Sequence, residues 1–231
     1  MTGGWRKADG VRAWKRVGGL WSAVTSWENL FEALRRAALG KKKRPEVAAF
    51  LFDQESRLAG LRRELLDGSY RPGPYRMFRI FEPKPREISA APFADRVIHH
   101  ALTQVLEPIF ERRFVPVSFA CRTGLGTHAA VGHIQRAASH GGYALRCDIR
   151  KYFASIDHAV LLGQLERVIR CRPTLGLAAT IIEGSNPQQP VDWYFPGDDL
   201  FTPGLRRRRL PLGNQTSQFF ANVYLNGLTI W

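Results

Sequence analysis

A long apolar stripe with helical spacing is the first thing this chain must accommodate. Phe93, Val97, Ile98, Ala101, Leu102, Val105, Leu106 and Ile109 recur every three or four residues, the spacing that places side chains on one face of an α-helix. Pro108 is expected to kink that helix near its end. The chain cannot be all helix, however. Residues 76–81 alternate in strand fashion, and residues 82–88 continue through a basic turn, so two short strands are expected. Around them, Thr25 and Glu28 read as a capping box for a helix over residues 27–39, closed by Gly40. Pro45 opens a helical stripe through Val47, Phe50, Leu58, Leu61 and Leu65 that ends at Gly68. Residues 128–138 read as a helix, and residues 143–148 as a buried strand ending in an acid. Asp157 caps a helix running to about Arg170. Residues 184–210, rich in Pro and Gly, read as a loop or hairpin, and residues 215–228 as a last helix. The fold class expected is α+β.

Charge narrows the partners. Lys and Arg number 34 against 20 Asp and Glu, a net charge of +14 over 231 residues. Such an excess favours a polyanion through phosphate contacts. It is densest over residues 1–50, with 11 basic and 4 acidic residues, and it includes the run from Lys41 to Arg44. The three cysteines, Cys121, Cys147 and Cys171, lack metal or disulfide spacing. No apolar run suits a signal peptide or a membrane span, so no membrane partner and a cytoplasmic location are expected. His99 and His100 are adjacent, and His128 and His133 stand five apart, poor spacings for one metal ion.

Asp148 carries the chemistry. An acid at the end of an apolar strand can project into a cleft. Phosphoryl transfer by two metals needs carboxylates that hold divalent cations about 3.5–4 Å apart. Taken alone, Asp148 reads more simply as the cap of a turn.

The surrounding string, Leu145-Arg-Cys-Asp-Ile-Arg-Lys-Tyr-Phe-Ala-Ser-Ile-Asp-His158, resembles the first catalytic motif of reverse transcriptases. Three further stretches agree in content and order: Phe81-Glu-Pro-Lys-Pro-Arg-Glu-Ile-Ser89, Ser118-Phe-Ala-Cys-Arg-Thr-Gly-Leu-Gly-Thr-His-Ala-Ala130, and Leu210-Pro-Leu-Gly-Asn-Gln-Thr-Ser-Gln-Phe-Phe-Ala-Asn-Val-Tyr-Leu-Asn226. The resemblance is to the bacterial retroelement kind, and the Ser217-Gln218 pair is nearest to diversity-generating retroelements and retron relatives. It implies right-hand polymerase fingers with a partial palm. Residues 1–25 would be a basic leader, 26–140 the fingers and template-contacting region, and 141–231 the partial palm.

The resemblance also implies site roles. Asp148 and the backbone at Ile149 would bind Mg2+ (or Mn2+), with Asp148 catalytic. Lys84, Arg86, Arg150, Lys151, Tyr152 and Gln215 would contact the incoming deoxynucleoside triphosphate. Phe153 would exclude a 2′-hydroxyl. Arg122, Gly124, Gly213, Asn214, Ser217 and Gln218 would lie against template and primer. The partners implied are an RNA template, a DNA or RNA primer and dNTPs.

The family's aromatic-x-Asp-Asp turn should follow the Ser-Gln helix, but no Asp or Glu occurs after Asp199. The expectation is a truncated, inactive form, or one completed by a second chain that supplies the rest of palm and thumb. Gly197-Asp-Asp199 lies in the wrong order for that motif and reads as a solvated turn. The run from Arg206 to Arg209 could touch nucleic acid or simply be exposed. The alternative function is a non-catalytic RNA-binding protein derived from such an enzyme.

Overall fold

The structure, a computed structural model, describes residues 15–81, 85–139, 141–184, 196–199 and 201–226. It is rich in helix and contains one small two-stranded sheet. The elements in order are α1 (Trp21–Val24), α2 (Trp27–Ala38), α3 (Pro45–Phe52), α4 (Gln54–Asp67), β1 (Arg76–Ile80), β2 (Arg86–Ala90), α5 (Phe93–Glu111), α6 (Thr127–Ala138), α7 (Tyr152–Ser155), α8 (His158–Glu166), α9 (Arg172–Glu183), α10 (Thr202–Leu205) and α11 (Gln215–Asn226).

The stripe on α5 is the centre of the core. Val97, Ile98, Ala101, Leu102 and Leu106 are fully buried, and α1, α2, α3, α9 and α11 pack around the helix. Asn29 on α2 pins the crossing, because its side-chain amide donates to the carbonyls of Val24 and Ala101. Gln104 returns a 2.7 Å hydrogen bond to the Asn29 side-chain oxygen. At the other end, the rings of Phe110 and Phe219 meet edge to face at 5.4 Å. The helix continues through Pro108 to Glu111.

Several expectations need correction. Ser26, not Thr25, caps α2: it is extended, and its hydroxyl accepts from the Asn29 N–H at 3.2 Å. Thr25 instead turns its hydroxyl onto the Trp21 carbonyl at 2.9 Å. The stripe from Val47 to Leu66 is two helices, because Asp53 leaves helical geometry (φ −122°, ψ 41°). Gly68, left-handed at φ +76°, ends the second as a C-terminal glycine should. The helix begun at Asp157 stops at Glu166, and α9, an element not expected from the sequence, follows and buries Leu175, Leu177, Ala178, Ile181 and Ile182. The described part of the expected leader is held in place. Val17 N–H donates to the Val168 carbonyl, and Arg170 N–H donates to the Val17 carbonyl, each at 2.8 Å.

The largest departure is residues 143–148, which form no strand and are exposed throughout. A strand exists only through pairing. Among the described residues the one sheet is the β1–β2 hairpin, and nothing pairs with residues 143–148. Helix α6, just upstream, has no buried residue.

Candidate nucleotide and nucleic-acid site

Residues 207–213 form a hub onto which two distant segments dock. On one side, His158 N–H donates to the Arg207 carbonyl, Arg209 N–H to the Ile156 carbonyl and Leu210 N–H to the Phe153 carbonyl, at 2.8–2.9 Å. On the other side, β2 donates from the Ser89 N–H to the Leu212 carbonyl at 3.0 Å. Arg209 also pairs with Glu87 of β2 at 3.0 Å. Gly213 then opens α11 with φ +107°, and a β-carbon there would stand 2.9 Å from the Ile88 side chain. Both the left-handed backbone and the close approach require glycine at this position.

Of the named residues, this geometry brings Phe153 and Gly213 together on the hub. Arg86 is exposed at the start of β2. Phe153 is half-buried against the core, with its ring 5.5 Å from that of Tyr152. Asn214 is buried, and neither side-chain polar atom has a hydrogen-bond partner among the described residues. An unpaired amide there is costly unless something else satisfies it. Ser217 is buried and Gln218 exposed on the same helix. Lys84 lies outside the described residues.

Asp148, Ile149, Arg150 and Lys151 lie on the exposed approach to α7, with Lys151 left-handed at φ +53°. The Tyr152 hydroxyl donates to the Ala221 carbonyl at 2.6 Å, and burial pushes the phenol upward. Its polar end therefore ties α7 to α11.

A second cluster was only half foreseen. Arg122, Gln215 and Gln218 line a cleft of about 380 Å3 together with Arg36, Glu107 and Glu111. Within it, Gln215 donates to Glu107 at 3.3 Å, and burial pushes the Glu107 carboxyl above its ordinary range against the pull of that hydrogen bond. Arg122 binds Glu111 at 2.7 Å and the carbonyls of Val115 and Ser118. Its guanidinium stands 5.3 Å from the Phe114 ring. These contacts make Arg122 an anchor of its loop. Gly124 is left-handed at φ +74° with open space around it. Glu107 and Glu111, one helical turn apart on α5, were the signal for this cleft and went unused.

The Asp-Asp pair is not a plain solvated turn. Asp198 is bound by the Arg206 guanidinium and its side chain is largely covered. Asp199 accepts from the Phe201 and Thr202 N–H groups at the start of α10. The arginine run is spent largely in ion pairs: Arg206 also approaches Asp157, and Arg208 lies 3.8 Å from it. Of the run, Arg207 alone is exposed. Among the described residues no group of three His, Cys, Asp or Glu could hold a metal ion, and no described helix is long and apolar enough to cross a membrane.

No family model matches the chain. It is 30% identical over 177 residues to the group II intron-encoded protein LtrA of Lactococcus lactis subsp. cremoris, an alignment covering 75% of this chain and 28% of that protein. It is 29% identical over 118 residues to protein YkfC of Escherichia coli (strain K12), covering 47% of this chain and 30% of that one. The chain thus spans less than a third of the length of either relative. A solved chain from a partial Cas6-RT-Cas1–Cas2 complex superposes with a TM-score of 0.47 at 17% identity, over 90% of this chain and 34% of that chain.

Proposed function

The chain belongs to the reverse transcriptase family, and from that premise we propose that it is the fingers and partial palm of an RNA-directed DNA polymerase. Its partners would be an RNA template, a primer and deoxynucleoside triphosphates. The observation that carries this reading is the convergence on residues 207–213. The β1–β2 hairpin that carries Arg86 and residues 153–158, which follow the Asp148 turn, are far apart in sequence, yet both dock on the short segment that leads through Gly213 into α11.

In this reading the Arg86 guanidinium holds the triphosphate, its planar fork suited to phosphate oxygens. Lys84, two residues before it in the sequence, assists. Arg150 and Lys151 add positive charge beside Asp148. The Phe153 ring occupies the space a 2′-hydroxyl would need, so deoxynucleotides are selected by steric exclusion. Gly213 lets the nascent pair approach the backbone, and the Asn214 and Gln215 amides supply donors and acceptors to it. Two magnesium ions would activate the primer hydroxyl and neutralise the leaving pyrophosphate. Towards that metal shell the chain offers the Asp148 carboxylate and the Ile149 carbonyl. The described residues alone do not complete a two-metal site.

The net charge of +14 suits a second reading as well, a non-catalytic RNA-binding protein of the same descent. Primer extension on an RNA template with Mg2+ separates the two. Under the polymerase reading the chain, alone or with a completing partner, extends the primer, and Asp148→Ala abolishes extension. RNA binding without extension supports the second reading. Extension that survives Asp148→Ala refutes the role given to Asp148.

A further inference from the structure

Strand β1 is exposed along its whole length, and a lone two-stranded hairpin is marginal in water. Besides its contacts with the hub, the β1–β2 hairpin is caught at both ends by adjacent residues in the first turn of α5. The Asp95 carboxylate takes the chain that enters β1. Its Oδ1 accepts from the Tyr70 hydroxyl at 2.9 Å and its Oδ2 from the Gly73 N–H at 2.8 Å. The Arg96 guanidinium takes the chain that leaves β2, donating from Nε to the Ala91 carbonyl at 2.9 Å. Its other arm binds Glu46, at the start of α3, at 2.7 Å. The two ends of the hairpin also approach each other here: a β-carbon on Gly73 would stand 3.0 Å from the Pro92 ring.

Asp95 is buried, and burial pushes its carboxyl above the ordinary range against the pull of both hydrogen bonds. A carboxylate is an expensive group to hold there unless its charge and both its oxygens are needed. Both oxygens are in use as acceptors. An amide in its place would offer one oxygen and turn an NH2 toward a donor. Tyr70 stays a donor, because burial and the neighbouring carboxylate push its phenol upward. We infer that Asp95 and Arg96 are positioning residues that clamp the root of the hairpin to α5, so that Arg86, at the start of β2, keeps a fixed bearing on the nucleotide site. The inference rests on the reading of Arg86 as the triphosphate contact. Neither member of the clamp touches the nucleotide, and both act through the hairpin.

The test is a double-mutant cycle on dATP affinity. Calorimetry on the whole chain uses an RNA template with a dideoxy-terminated primer and uracil as the next template base, so that no chemistry follows binding. Arg86→Ala and Asp95→Asn should each weaken dATP binding about tenfold, as the loss of a hydrogen bond to a charged group does. In the Arg86→Ala background, Asp95→Asn should weaken it no further. A role in general stability would instead lower affinity by the same factor in both backgrounds. Should Asp95→Asn fail to fold, Tyr70→Phe and Arg96→Met, which remove other hydrogen bonds of the same clamp, carry the same cycle. Hydrogen exchange in the clamp variants should quicken in residues 76–80 and 86–90 and stay unchanged in residues 101–106. Unchanged dATP affinity in the clamp variants, or losses that add in the cycle, overturns the inference and leaves the triphosphate reading of Arg86 intact. Equal affinity in Arg86→Ala and wild type sinks that reading and the inference with it, as does a wild type that binds no dATP.

Discussion

Helix α5 and residues 143–149 are both apolar stretches, yet one is the best-buried element of the molecule and the other lies open to solvent. The difference is where each satisfies its backbone. A helix closes its hydrogen bonds within itself and needs neighbours only for its side chains. A strand has no internal bonds and forms only beside another strand. Leu102 on α5 is fully buried, whereas Leu145 is 90% exposed. Apolar sequence alone therefore decided burial for α5 and did not for residues 143–149.

The contrast can be broken by paired substitutions. Leu102→Ala should cost about 3 kcal/mol of unfolding free energy, the transfer and cavity terms together. Leu145→Ala should change it by less than about 0.5 kcal/mol. Denaturant melts of the two variants check both figures, and a comparable loss at Leu145 would mean that residues 143–149 are packed in solution.

His99 extends the test to pH. It is fully buried on α5 with neither ring nitrogen partnered, and burial pushes its pKa from 6.5 down to about 3. The unfolded chain therefore takes up a proton first as pH falls below about 6.5, and stability is lost through the window down to about 3. At pH 5 this one group should remove about 2 kcal/mol relative to pH 7.5. His100, pushed down to about 4 mainly by burial, adds to the same loss. Unfolding measured at both pH values should show a smaller difference in His99→Leu, and an unchanged difference would remove His99 as its source.

A smaller effect separates two glycines. Gly213→Ala should cost about 1–2 kcal/mol, since it combines a left-handed backbone with the contact to Ile88. Gly124→Ala, left-handed in open space, should cost about 1 kcal/mol. Amide hydrogen exchange gives the finest reading: the N–H groups of residues 143–148 should exchange orders of magnitude faster than those of residues 101–106.

Much of this architecture was legible where the signal was local. The α5 stripe, Pro45 at a helix start, Gly68 at a helix end and the alternation of residues 76–80 each became the element their chemistry calls for. The motif strings single out Arg86, Phe153 and Gly213 as candidates, and of these the structure explains the residue type at Gly213. What could not be read were contacts between distant segments. Nothing near Arg209 says that it will pair with Glu87, and nothing in Asp198 announces Arg206. Helix α9 was missed because a short apolar run behind Pro173 looks alike in a helix and a buried segment. Ser26 and Thr25 are both able caps, and the choice between them was settled by backbone geometry rather than by side-chain type.

The central claim is that the hairpin and α7, both docked on residues 207–213, act as one site with the turn before α7 and the start of α11. Hydrogen exchange with and without an RNA template-primer and a deoxynucleoside triphosphate tests it most directly. Protection rising together in residues 86–90, 148–153 and 213–217 is the predicted result. Protection confined to one of the three segments, or rising only around the cleft of Glu107 and Glu111, would contradict it.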